Sequence, residues 1–274
     1  MSSESSAISY VHGYGSTEAT RLADQADTLA ELLHHDTCYP AGSRVLEAGC
    51  GVGAQTVHLL AHSPQMQLTC IDREPTSLAI ARAAVAALPG AAQVTFLEAD
   101  LFHLPFPAAS FDHVFVCFVL EHLARPEQAL RALMRVVRPG GTITVIEGDH
   151  GSTFFHPHGD KARRTIDCLV RAQAHGGGDA NIGRRLFPLL RGVGLRDVHV
   201  SPRFVYCDSS RPRWVDGFTN KTFIAMVEGA REPSLRLGLI REDEWAEGIA
   251  ELKRAALDDG TFCYTFFKAF ARAG

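Results

Sequence analysis

Long apolar runs, clustered cysteines and an excess of basic charge are all missing from this chain. No stretch of about 18 uncharged apolar residues occurs, so no segment is suited to cross a bilayer as a helix. The opening residues, MSSESSAIS, are polar and lack the basic region and apolar core of a secretory signal. The 7 cysteines are odd in number and scattered, with no C-x-x-C pair. That argues against structural zinc and against an iron–sulfur cluster, and points to reduced thiols in a cytoplasmic protein. Lys and Arg number 27 against 31 Asp and Glu, a net charge of −4, so no basic face announces nucleic acid or an anionic membrane. His156-Pro157-His158 lacks a matched carboxylate or cysteine at ligand spacing, and no metal is expected there. No internal repeat is visible.

What is present is an alternation of strands and helices. With 274 residues and 46% hydrophobic content, the chain suits one large domain, or a core with a lid. Leu22, Ala26, Leu29 and Leu33 share one face of an expected helix over 16–33, with Ser16 and Thr17 as cap and Glu18 in the first turn. Strands are expected at 44–48, 67–72, 94–98, 111–117 and 142–147, with helices at 54–61, 74–88 and 126–137 between them. Continuous apolar strands separated by amphipathic helices imply a parallel sheet covered on both faces, hence a doubly wound α/β fold. After Gly148 the texture changes. Residues 152–191 are rich in His, Arg and Gly and read as a helical insert. Strand character returns over 195–206 and 261–270, with helices at 211–230 and 242–257. The expected division is an arm and helix over 1–40, a core over 41–150, a lid over 151–193 and a C-terminal part of the core over 194–274.

The most informative stretch is Val45-Leu46-Glu47-Ala48-Gly49-Cys50-Gly51-Val52-Gly53, a buried strand entering a glycine-rich turn. Glycines so spaced let the backbone turn sharply and approach a ligand, at the N-terminus of the helix that follows. Gly49, Gly51 and Ala54 also approximate a dinucleotide fingerprint. Glu47 tilts the choice, because a carboxylate repels a pyrophosphate but welcomes an ammonium group. The second strand ends in Asp72, about twenty residues on, where a carboxylate can accept from both ribose hydroxyls. The third leads to Asp100 and Leu101, suited to an adenine amino group and ring.

This succession, with Leu104-Pro105-Phe106, Ser110-Phe111-Asp112 and Arg138-Pro139-Gly140-Gly141, resembles the class I S-adenosylmethionine-dependent methyltransferases over about residues 7–147. The resemblance implies a seven-stranded, mostly parallel Rossmann-like sheet with an N-terminal arm and a helical lid. It also implies S-adenosylmethionine as methyl donor and S-adenosylhomocysteine as product. Glu47, Gly49, Gly51 and Gly53 would face the methionine part, Asp72 the ribose, and Asp100 with Leu101 the adenine. Arg73 would stack on the adenine, and Cys117, Phe118 and His122 would line the donor near the reaction centre. An arm segment of this kind often folds over the active site, which singles out Tyr14, and then Tyr10.

Methyl transfer requires alignment, exclusion of water and removal of a proton where the nucleophile carries one. Candidate bases at the strand ends are Glu121, Glu147 and His150. Phe154, Phe155, Phe187 and Trp214, with Phe218 and Phe223, favour an aromatic or apolar small-molecule acceptor. Arg163, Arg164, Arg184 and Arg185 read as solvated helix faces or as a clamp for an acidic substrate. Some secondary-metabolite enzymes of this type methylate carbon on indole or terpenoid substrates, but the residues leave C, N and O transfer open. Exchange of the arm between two copies would make a homodimer. The competing readings are a methyltransferase for protein or nucleic acid, and a non-methylating or NAD-binding relative.

Overall fold

The computed structural model describes residues 16–274, with side chains from residue 21 onward. Seven strands form one sheet in the order β3-β2-β1-β4-β5-β7-β6. The parallel part comprises β1 (Arg44–Ala48), β2 (Gln67–Asp72), β3 (Val94–Glu98), β4 (Phe111–Cys117) and β5 (Val137–His156). Each of these strands pairs parallel with its neighbour, β4 with β5 through a register shift between Phe111 and His113. The last strand, β7 (Thr261–Arg272), inserts antiparallel between β5 and β6 (Arg196–Asp208).

Helices cover both faces, as continuous apolar strands require. One core packs α1 (Ser16–His34), α2 (Thr56–His62), α3 (Pro75–Val85) and the C-terminal helices on the sheet through Leu29, Leu33, Leu59, Phe115 and Phe218. The other packs α4 (Pro126–Val136) and α6 (Leu186–Gly192) through Leu130, Leu133, Leu190, Val114 and Val116. No described helix is long and apolar enough to cross a membrane.

Two elements depart from the sequence expectation. β5 does not stop at residue 147. It continues through an irregularity between Asp149 and Phe154 and re-pairs with β7 as far as His156↔Thr261. The start of the expected insert is therefore strand, and α5 (Asp160–His175) follows it and packs on α10 (Glu242–Lys253). The expected single helix over 211–230 is three pieces: α7 (Pro212–Trp214), a π-helical segment Val215–Ile224, and α8 (Ala225–Gly229). Thr222 Oγ1 donates to the Gly217 carbonyl at 2.7 Å, five residues back, in step with the wider coil. Gly217 has no substitute here, since a Cβ would lie 2.3 Å from Thr28 Oγ1 of α1. A short helix, α9 (Arg231–Arg236), completes this side.

Candidate active site

Between β1 and β4 the strand order reverses, and a cleft of about 260 Å³ opens beyond their carboxyl ends, roofed by α1 and the π-helical segment. The glycine turn forms its floor. Gly49 and Cys50 donate to the Ile71 carbonyl at 2.8 and 2.9 Å, tying the turn to the end of β2. Gly49, Gly51 and Gly53 have φ of +75°, +52° and +81°, in the left-handed region where a Cβ is penalised. Their surroundings differ. A Cβ at Gly49 would meet Val119 Cγ2 at 2.6 Å, and one at Gly53 would meet Ala81 Cα at 3.0 Å. At Gly51 nothing described lies within 4 Å of that position, so this turn leaves ligand space beside the backbone.

Asp72 and Asp100 stand at adjacent strand ends on the same wall as Arg73 and Leu101. Asp72 Oδ2 accepts from Gly51 N at 2.8 Å and Oδ1 from Glu74 N at 3.0 Å, which aims the carboxylate. Asp100 accepts from Phe102 N at 2.9 Å and pairs with His103 Nδ1 at 2.8 Å. Partial burial works to raise its pKa, but those two hydrogen bonds outweigh it and hold it below the ordinary value.

Glu47 does not join that wall. Strand alternation turns its side chain toward the face covered by α2, beneath the turn, where Thr56 Oγ1 donates to Oε2 at 2.7 Å and Cys70 Sγ at 3.3 Å. Burial, helped by the nearby Asp72 charge, pushes its carboxyl up to about 7. Its immediate neighbours are a hydroxyl and a thiol, and it is not among the residues that line the cleft.

Cys117, Phe118 and Val119, at the end of β4, form the next part of the wall. Phe118 holds φ +57°, unusual for a side chain with a Cβ, pinned by its N–H to the Ile146 carbonyl at 2.9 Å and by its ring 5.3 Å from Phe266. Glu147 lies behind this loop and not in the cleft. Its Oε1 accepts from Val119 N at 3.1 Å and Leu120 N at 2.7 Å, while Oε2 has no partner among the described residues. Burial, with the Glu121 charge added, raises its pKa well above the ordinary carboxylate value. Expected among the candidate bases, it instead lies outside the cleft and holds the loop after β4.

Glu121, His122 and His150 all reach the cleft. His150 Nδ1 lies 2.7 Å from the Tyr264 hydroxyl, and its Nε2 lies 3.7 Å from Glu121 Oε2. Gln173 Nε2 donates to the Glu121 carboxylate and carbonyl at 3.3 and 3.1 Å. Burial lowers the His150 pKa and raises that of Tyr264. A neutral imidazole with its proton on Nε2 would accept from Tyr264 at Nδ1 and turn the N–H toward Glu121. Gly148 makes the arrangement possible, because a Cβ there would lie 2.3 Å from the Tyr264 oxygen.

The aromatic residues expected around the acceptor divide. Phe218 and Phe223 line the cleft with Phe266, Tyr264 and Met226. Phe154, Phe155, Phe187 and Trp214 do not. Phe154 is 54% exposed and stacks on Phe204, and Phe187 is 51% exposed. Phe155 is buried against Phe262, and Trp214 packs on the core. Tyr10 and Tyr14 lie outside the described residues. Arg184, half-exposed, holds the buried Asp149 through two hydrogen bonds of 2.7 and 2.6 Å.

Sequence reasoning missed Tyr264 and Phe266, and the contribution of Arg21, Leu22 and Gln25 from α1. The period-2 pattern of Phe262, Tyr264 and Phe266 in the final strand was the available signal.

Comparisons with known proteins agree with this architecture. Residues 46–145 match the Methyltransf_11 family, a methyltransferase domain. Methyltransferase str2 of Strobilurus tenacellus is 27% identical over 84% of this chain and 82% of its own length. Ajmaline N-methyltransferase of Rauvolfia serpentina is 31% identical over 56% of this chain, which spans 53% of that relative. The solved structure of Haemonchus contortus phosphoethanolamine N-methyltransferase 2 with S-adenosylhomocysteine shares the fold, with a TM-score of 0.55 at 17% identity, covering 90% of this chain and 52% of that one. The matched domain and the relatives support a class I S-adenosylmethionine-dependent methyltransferase, and the fold is shared with solved members.

Proposed function

We propose that the protein methylates a small, apolar or aromatic metabolite at a proton-bearing atom. One observation carries the reading: a single cleft joins a wall bearing two carboxylates to an aromatic end containing Glu121, His150 and Tyr264. The room at Gly51 and the aimed Asp72 carboxylate fit a nucleoside donor. Asp72 would accept from the ribose, Asp100 would accept from the adenine amino group, and Leu101 would pack on the ring, with Arg73 beside it. Bound S-adenosylmethionine supplies a methyl carbon already activated by the sulfonium charge.

The chain's own residues do the rest. Phe118, Phe218, Phe223, Phe266 and Met226 bury the acceptor and keep water from the methyl path. The Glu121 carboxylate takes the acceptor proton, held in place by Gln173, with His150 Nε2 3.7 Å away. Tyr264 fixes the imidazole orientation. Similarity to an enzyme named for the N-methylation of ajmaline favours a small-molecule acceptor over a macromolecule.

The test is a panel of phenols, indoles and polyketides incubated with methyl-labelled S-adenosylmethionine, alongside calorimetry of donor and product. Transfer to an apolar acceptor, with Glu121→Gln lowering kcat and leaving the donor Kd unchanged, is the expected result. Label appearing only in RNA or protein would move the acceptor to a macromolecule. Absence of binding by either S-adenosylmethionine or S-adenosylhomocysteine would end the reading.

A further inference from the structure

A second cavity lies at the other end of the sheet, among the residues that begin the parallel strands. Its wall is strand surface left bare past the end of α1: His113 of β4, His199 and Arg203 of β6, and Lys268 and Arg272 of β7, with Asp36 just after the helix. Three cations thus face one carboxylate, in a chain whose net charge is −4. The imbalance is built in and is not a matter of loose surface lysines. Lys268, only 7% exposed, donates to Asp36 Oδ1 and Thr37 Oγ1 at 2.5 Å each and to the Leu33 carbonyl at 2.9 Å. Arg203, also buried, pairs with the other oxygen of the same Asp36 and with the His35 ring. Its Nε–H has no acceptor among the described residues.

One carboxylate therefore serves two desolvated cations, and one positive charge is left over beside an open cavity. Cations out of bulk water gain far more from a counter-charge than solvated ones do. Arg272 adds a third, half-exposed, with the exposed Asp197 carboxylate 3.9 Å away. Of the remaining polar lining, Thr142 pairs with His113 Nδ1 at 2.7 Å and Ser201 donates to the Lys268 carbonyl, while the Tyr39 hydroxyl has no hydrogen-bond partner among the described residues and Asp36 is already occupied. Such a wall suits an acceptor-rich anion and repels a cation.

We propose that this cavity is a second ligand site, taking a small oxyanion: a phosphate-bearing or carboxylate-bearing metabolite. It is separate from the methyl-donor cleft and shares no lining residue with it. The site is also mechanically tied to α1. Lys268 holds the helix's last turn through Leu33, while Arg21, Leu22 and Gln25 of the same helix line the donor cleft.

The experiment uses the intact protein and two probes, inorganic phosphate and succinate. Each is titrated at constant ionic strength and about pH 8, where imidazoles of ordinary pKa are neutral, while the ring C–H resonances of His113 and His199 are followed by NMR. Saturable shifts at both histidines, weakened about tenfold or more by Arg272→Gln, are expected, and the tighter probe identifies the headgroup. Arg203→Gln provides a second reading where it folds, and Arg272→Gln decides alone where it does not. Linear shifts reproduced by chloride would mean an adventitious ion only, and unchanged affinity in Arg272→Gln would overturn the proposal. Neither outcome depends on methyl transfer, so the two proposals fail separately.

Discussion

Replacing Glu47 by Gln tests the electrostatics beneath the glycine turn. Gln keeps the shape and retains an acceptor for Thr56 and Cys70, but cannot ionise. In the folded protein Glu47 is pushed from 4.5 to about 7, chiefly by burial. Because its folded value exceeds its unfolded one, the native state holds the proton more tightly. Stability from this group is therefore present below about pH 4.5 and lost as pH rises to about 7. At 1.36 kcal/mol per pH unit, that interval is about 3 kcal/mol.

His34 works in the opposite direction. Burial takes it from 6.5 down to about 4 against the hydrogen bond to Gln55 and with help from His58, so its contribution is lost as pH falls across that interval. In the wild type the two terms oppose each other over the shared window. Urea unfolding from about pH 4.5 to 8 should thus give Glu47→Gln an advantage over wild type that grows by about 3 kcal/mol toward the alkaline end. The variant should also lose stability more steeply on acidification, with the His34 slope unmasked. A difference between the two proteins that stays constant across the window would show that Glu47 ionises like an exposed acid, and would refute the assignment of its environment.

The remaining predictions concern the cleft. Gly51→Ala pays only backbone strain of about 1–2 kcal/mol, so it should fold yet raise the donor Kd in calorimetry, because its Cβ enters ligand space. Gly53→Ala should instead lower the melting temperature, since its Cβ would strike the Ala81 backbone at 3.0 Å; equal stability for the two variants would contradict this contrast. Asp72→Ala should weaken donor binding, with each lost charge-assisted hydrogen bond worth about 1.5–3 kcal/mol, and an unchanged Kd would remove Asp72 from the donor site. Tyr264→Phe leaves His150 Nδ1 unpaired and should cut kcat by about tenfold, with 1.4 kcal/mol as the scale, while the donor Kd holds. Equal loss in both would assign the hydroxyl to packing alone.

Much of the fold was legible because parallel strands buried on both faces leave continuous apolar runs, and β1 to β4 have the expected bounds. The extension of β5 to His156 was not legible, because Phe154, Phe155 and His156 take strand conformation by pairing with a segment more than a hundred residues later. The π-helical stretch was hidden for a similar reason. Its local sequence is compatible with an ordinary helix, and the close passage of Thr28 past Gly217 lies outside any local window. Aromatic content suggested an apolar pocket but not its members: Phe154 and Phe218 differ in which neighbours cover them, not in type.

The four acids around the strand ends sharpen this point. Glu47, Asp72, Glu121 and Glu147 are the same functional group within one small region, and sequence position nominated all of them. Strand alternation sends Glu47 under the turn, while Asp72, at the end of its strand, is captured by Gly51 N and Glu74 N. Glu147 is drawn inward by two backbone N–H groups of the β4 loop, and burial favours its neutral form. Glu121, by contrast, reaches the cleft, where Gln173 Nε2 donates to its carboxylate at 3.3 Å and His150 Nε2 lies 3.7 Å away. That division follows from burial and contact, not from residue type.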